Sequence, residues 1–305
     1  MKRIVVVGSL NMDFVVETSR IPKCGETLSG KSVTLIPGGK GANQAYAIGK
    51  LGGKVGMIGA VGGDAYGQVL REILKAVAVD ISGISVMEDG VTGQAFITVD
   101  ERGENSIIVI AGTNRAVTKE LIQKNARLIQ ESDIVIMQLE ISVEVVEYVK
   151  DMAVRLGKTV IIDPAPAVCG LPESFWKGID FIKPNETELA ILTGKEMKTI
   201  EEVKEGGREM LKKGVKGVVI TLGSKGCIFL TEEKEKFFSA NKVKAVDTTA
   251  AGDSFTAGFA LALSQGKSCE EAIRFGQKVS AIAVTRKGAQ TSVPTMKEIE
   301  HTWKE

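Results

Sequence analysis

Short runs of valine and isoleucine recur along the chain at residues 3–7, 54–58, 134–138, 159–163, 181–183 and 217–221, with helical patterns between them. An exposed-face strand would alternate apolar and polar residues; these runs are apolar throughout, as in parallel strands covered on both faces. The pattern predicts an α/β fold, a doubly wound and mostly parallel sheet flanked by helices. No Pro/Ser-rich linker or internal repeat divides the 305 residues, so one domain spanning 1–305 is expected. Two stretches break the rhythm. Residues 13–36 and 92–111 alternate in character around turns at Pro22, Gly25 and Glu101–Glu104, and read as antiparallel strand pairs forming a small lid or a dimer contact.

Composition removes several function classes. With 39 basic and 38 acidic residues the chain has no field to hold nucleic acid. No apolar stretch reaches the roughly 20 residues of a membrane span, and the N-terminus is too short in apolar residues for a signal segment, so a cytoplasmic protein is expected. Cys24, Cys169, Cys227 and Cys269 are far apart, which fits neither a zinc site nor a disulfide framework. The only histidine, His301, lies in the last five residues, so a general base must be a carboxylate, Lys, Tyr or Cys, and a Ser-His-Asp triad is excluded.

The strongest candidate for chemistry is Asp247-Thr248-Thr249-Ala250-Ala251-Gly252-Asp253, which turns on small residues and opens a helix continuing through Phe255 and Phe259. Small residues let backbone N–H groups converge on one point, and the helix dipole adds positive potential there. Asp253 would stand beside this anion site as a base, or it could be only a helix cap.

Polar groups gather where other elements end. Asn11 and Asp13 lie two apart after the first strand and suit vicinal hydroxyls, although two turn residues would look the same. Gly38, Gly39 and Gly41 precede Ala42 and Asn43 and would let a helix start against a small ligand. Glu140 follows the run at 134–138. Asn185 and Glu188, three apart, could hold a hydrated Mg²⁺ with nucleotide phosphates, or form a capping box. The glycines of residues 221–226 could admit a base and ribose, and residues 283–292 supply carbonyls and a hydroxyl. One string misleads. Gly25–Ser32 fits GxxxxGK[ST] with Lys31, but continues as strand into Pro37 with no helix to carry the phosphate, so it reads as accidental; nor is there a GxGxxG.

Taken in order, GSLNMD, GGKGANQA, MQLE, PNETE, TLGSKG, DTTAAGD and VTRKGAQ resemble the ribokinase family of carbohydrate kinases over essentially the whole chain. The resemblance implies ATP-dependent phosphorylation of D-ribose at its 5-hydroxyl, with Asp253 as general base and the N–H groups of Ala250, Ala251, Gly252 and Asp253 as the anion hole. It implies sugar contacts from Asn11, Asp13, Gly39, Lys40 (through its backbone), Gly41, Ala42, Asn43 and Glu140. ATP would meet Asn185, Thr221, Leu222, Gly223, Ser224, Lys225, Gly226, Gly252 and Gln277. Mg²⁺ would be held near Glu188 through water, and K⁺ by Asp247, Thr249, Ala283, Arg286, Gly288 and Ser292. A homodimer through the lid is part of the same expectation. Alternatives within the family are kinases for fructose, deoxyribose or adenosine; outside it stand a non-catalytic sugar or nucleotide sensor and a nucleotide hydrolase using Lys31.

Overall fold

The computed structural model describes residues 1–303. Its strands are β1 (Ile4–Val7), β2 (Asn11–Glu17), β3 (Ser32–Gly38), β4 (Val55–Gly62), β5 (Asp80–Met87), β6 (Gly93–Val99), β7 (Asn105–Ile110), β8 (Ile134–Gln138), β9 (Thr159–Asp163), β10 (Phe181–Ile182), β11 (Gly217–Thr221), β12 (Gly226–Leu230) and β13 (Glu235–Ser239). Nine of them form one sheet in the order β13-β12-β11-β10-β9-β8-β1-β4-β5. Pairing is parallel from β5 to β11 and antiparallel only at the β11-β12-β13 end.

Alternation of side chains across the sheet explains why the runs are apolar throughout. Ile4, Val6, Met57, Ile134 and Ile136 pack on one face against helices Lys40–Lys50, Ala251–Ser264 and Cys269–Ala283. Val5, Val7, Val135, Val160 and Ile162 pack on the other against helices Val143–Arg155 and Ile200–Lys212. Each fully buried Val or Ile contributes about 1.5–3 kcal/mol, enough in aggregate to fix the ends of these strands relative to one another. No helix among the described residues is long and apolar enough to cross a membrane.

The two irregular segments make a separate four-stranded sheet, β3-β2-β6-β7. The β2–β3 and β6–β7 pairs are antiparallel as expected, and they join through a parallel β2–β6 pairing. The lid starts earlier than the sequence indicated. β1 stops at Val7, and Asn11 and Asp13 lie on β2, so the lid itself carries them. β5 and β13 carried no apolar run: β5 has Asp80, Ser82 and Gly83 on a sheet edge, and β13 is a mostly exposed edge strand, whereas the buried apolar run of β12 was passed over. Lys31 precedes β3, is half exposed, and pairs with Glu101 across the lid; no helix follows it, as the accidental reading of its motif requires.

Candidate active site

β1 lies between β8 and β4, so the connections that flank it depart in opposite directions and open a crevice at the carboxyl ends of the strands. The Lys40–Lys50 and Ala251–Ser264 helices both begin in this crevice.

Asp253 is the third residue of its helix, and its carboxylate makes no cap hydrogen bond. The residue is 5 % exposed; Asn43 Nδ2 donates to one carboxylate oxygen at 3.1 Å and Gln44 Nε2 to the other at 2.9 Å. The capping alternative therefore fails, because the carboxylate is held by two amides from the facing helix. Preceding it, Ala250 has φ 56°, a left-handed conformation that costs a non-glycine residue about 1 kcal/mol or more. That turn leaves the N–H groups of Ala250, Gly252 and Asp253 without an acceptor among the described residues, whereas the Ala251 N–H donates to the Thr248 carbonyl at 3.2 Å. Three donors at a helix N-terminus beside an uncapped carboxylate can bind an anion and accept a proton.

Behind Asp253 lies a buried polar network that the motifs did not disclose. Gln44 accepts from Gln138 Nε2 at 2.6 Å and donates also to Asp163 at 3.0 Å. Thr256 donates to Asp163 at 3.4 Å, Gln290 donates to Asn43 at 3.2 Å, and Lys183 Nζ stands 3.3 Å from Asp163. Gln138 and Asp163 are the last residues of β8 and β9; a polar side chain closing an otherwise apolar parallel strand was the available signal.

Opposite this network the crevice is acidic. Asp13, half-buried, has its carboxyl pushed up to about 7, first by burial and then by Glu140 and Asp253, with Lys40 opposing. Its Oδ1 is buried with no partner among the described residues, an orphan acceptor of the kind a ligand hydroxyl satisfies. A Cβ on Gly38 would displace that carboxylate from its present position. Glu140 accepts from the Ser9 hydroxyl and, at 2.9 Å, from the Lys40 N–H; burial raises its carboxyl above the ordinary range. Burial would lower the Lys40 ammonium, but Asp253, Asp163, Glu140 and Glu188 outweigh it and hold it above its ordinary value. Asn114, unmarked in the sequence, clamps the crossover from β1 to β2: it accepts from Leu10 N at 2.9 Å and donates to Asn11 Oδ1 at 2.8 Å. Ala42 is wholly buried, so only its backbone faces this region.

Asn185 and Glu188 do form a reciprocal capping box, at 2.8 and 2.7 Å, and burial raises the Glu188 carboxyl. Thr221 bridges to Asn185, and the turn that follows has open space over Gly223, while the Leu222 side chain belongs to the core. Gln277 is turned into the sheet edge, donating to the Phe238 and Ser239 carbonyls at 3.2 and 3.3 Å. Asp247 gathers Thr249 N, Thr249 Oγ1 and Gly288 N at 2.9, 2.6 and 2.9 Å. The Arg286 side chain leaves this loop to pair with Glu298, and Ser292 Oγ donates to the Ala289 carbonyl.

The model of the pfkB family carbohydrate kinases matches residues 1–296. Ribokinase of Haemophilus influenzae is 40% identical over 297 residues, covering 97% of each chain. Deoxyribokinase of Salmonella typhi is 34% identical over 295 residues, covering 97% of this chain and 96% of that one. The structure of Arabidopsis thaliana ribokinase complexed with ribose and ATP superposes with a TM-score of 0.93 at 35% identity, covering 100% of this chain and 99% of the other. A match over nearly the full length, joined to an uncapped carboxylate beside free N–H donors, places the chain in the pfkB family of carbohydrate kinases.

Proposed function

We propose that the protein transfers the γ-phosphoryl group of ATP to the 5-hydroxyl of D-ribose. The hydroxyl oxygen bonds to the γ-phosphorus as the bond to the β,γ-bridging oxygen breaks; ADP leaves with that electron pair, and the hydroxyl proton passes to Asp253. The observation that carries this reading is the Ala250–Asp253 turn, with free N–H groups beside a buried carboxylate that caps nothing. Asn43 and Gln44 aim the carboxylate, so the base needs only to accept a proton from a hydroxyl held in line. Asn11, Asp13 and Glu140, with the backbone from Gly39 to Ala42, form the sugar side; the orphan Oδ1 of Asp13 supports a polyhydroxyl ligand. Asn185 and the loop from Thr221 to Gly226 form the nucleotide side.

Among the described residues no group of three acidic, histidine or cysteine side chains could cage a metal. Glu188, whose carboxyl is raised by burial, would hold Mg²⁺ through water together with nucleotide phosphates, where the ion would supply neutralising charge. For K⁺ the support is that the carbonyls of Thr249, Arg286 and Gly288 have no backbone partner among the described residues, and that Thr249 and Gly288 meet at Asp247, whose carboxyl is kept low by hydrogen bonds that outweigh its burial. The lid supports a homodimer: Ile107 to Ile110 are 48–66% exposed on an edge strand, with Val33 and Leu35 also exposed, an apolar surface that a second lid would cover.

Deoxyribose is the second reading, favoured by the deoxyribokinase relative. ADP release measured with ribose, deoxyribose, fructose and adenosine decides the substrate, and preference for any of the last three over ribose overturns the first. Asp253→Asn should fold and bind ATP while kcat falls by about 10²–10⁴. Near-full turnover would remove Asp253 as base.

A further inference from the structure

β9 and β10 are neighbouring parallel strands in register, Ile162 beside Ile182, so the next residues, Asp163 and Lys183, emerge side by side at the crevice. Their side chains are 2% and 8% exposed and lie 3.3 Å apart. A counter-ion would be a sufficient account of Lys183 if its ammonium were enclosed by acceptors. It is not. An ammonium has three N–H groups to place, and its one ion-pair partner among the described residues is Asp163. Asp163 in turn already receives Gln44 and Thr256. The ammonium instead borders the anion-binding turn: a Cβ built on Gly252 would stand 3.0 Å from Lys183 Nζ and would meet nothing else within 4 Å outside its own helical turn among the described residues. Gly252 thus leaves an open cradle walled by one cation, next to the free N–H groups of Ala250, Gly252 and Asp253.

On the reading of phosphoryl transfer given above, we propose that Lys183 is a further catalytic residue, donating from Nζ to the equatorial oxygens of the transferring phosphoryl group. It keeps its proton throughout; the base remains Asp253, and the leaving electron pair remains on ADP. Asp163 aims the ammonium as well as Gln44, so one carboxylate sets the position of both the base and the cation. Charge on the equatorial oxygens is met by a buried donor that needs no reorganisation, the condition under which such donors act most strongly.

The test is a double-mutant cycle on the full chain with Lys183→Met, Asp163→Asn and the double variant, reading kcat, the sugar KM, and binding of ADP with aluminium fluoride and ribose. The double variant removes both buried charges and so keeps the comparison valid if Lys183→Met alone is unstable. The expected result is a kcat loss of roughly 10²–10³-fold on introducing Lys183→Met into the wild-type chain, and a smaller further loss on introducing it into the Asp163→Asn variant, where the ammonium is no longer aimed. The sugar KM should stay unmoved and the aluminium fluoride complex should weaken more than ADP alone. Recovery of kcat in the double variant would make Lys183 a structural counter-ion and overturn the proposal, as would undiminished affinity for the aluminium fluoride complex. Failure of the wild-type protein to phosphorylate any sugar would instead defeat the reading beneath it.

Discussion

Gly41→Ala is a one-carbon change whose effect follows from the contact between the Lys40–Lys50 helix and the turn after β1. A Cβ on Gly41 would lie 2.7 Å from Gly8 C, 2.7 Å from Ser9 N and 2.8 Å from Ser9 O, all backbone atoms with no rotamer to yield. Carbon contacts are favourable at about 3.5–4.0 Å, so helix and turn must part by roughly 1 Å. Overpacking of this kind costs about 1–3 kcal/mol, and the better helix propensity of alanine returns up to about 1 kcal/mol. The net is a destabilisation of up to about 3 kcal/mol, which thermal unfolding reads separately from the rate. The rate is the sensitive quantity, because this helix carries Asn43 and Gln44, which grip Asp253 at 3.1 and 2.9 Å, and the Lys40 N–H, 2.9 Å from Glu140. A displacement near 1 Å should lower kcat/KM by about 10²-fold. The assay is coupled ADP release with ribose, beside thermal unfolding, with Gly30→Ala as control because its nearest contact is an ordinary 3.4 Å. A Gly41→Ala enzyme with kcat/KM within roughly threefold of wild type would refute the argument that this backbone contact sets the alignment of the base.

The other predictions concern pH and assembly. Because the Asp13 carboxyl is raised to about 7, the sugar KM should rise as pH falls through that value, with kcat changing less, and Asp13→Asn should abolish this limb; a KM flat between about pH 8 and 6 would count against it. The apo protein should show the opposite tendency on this group's account. The folded state binds the proton more tightly than the unfolded chain, so stability falls as pH rises from the ordinary carboxylate range to about 7. On the proposed lid dimer, Ile108→Lys, at the most exposed of the four apolar residues of β7, should shift sedimentation from dimer to monomer, and an unaltered mass would exclude the lid as the interface.

The main sheet was legible because its interior parallel strands are covered on both faces and so carry continuous apolar runs; the six runs at 3–7, 54–58, 134–138, 159–163, 181–183 and 217–221 became β1, β4, β8, β9, β10 and β11. β5 and β13 were not, since edge strands with polar faces leave no such signature. Within the site, Asp253 was visible because backbone chemistry at a helix start has a compositional mark in small residues. Gln44, Asp163, Lys183 and Asn114 were hidden, because their roles depend on partners as far as 209 residues away in the chain, and no local pattern encodes such a meeting. The Asn185–Glu188 motif shows a further limit: the capping box that the string by itself favours is present, but it uses the same atoms as a ligand site, so finding it does not decide the second role.

Ala250 bears on how the anion site is kept open. A glycine would take the left-handed turn without strain, and the fold would be easier to reach. It would also let the peptide units on either side swing, so the N–H groups would have to be gathered anew each time a phosphate arrived. The methyl group narrows the conformations open to the turn, so the ordering is done once, during folding, and is not repeated in each catalytic cycle.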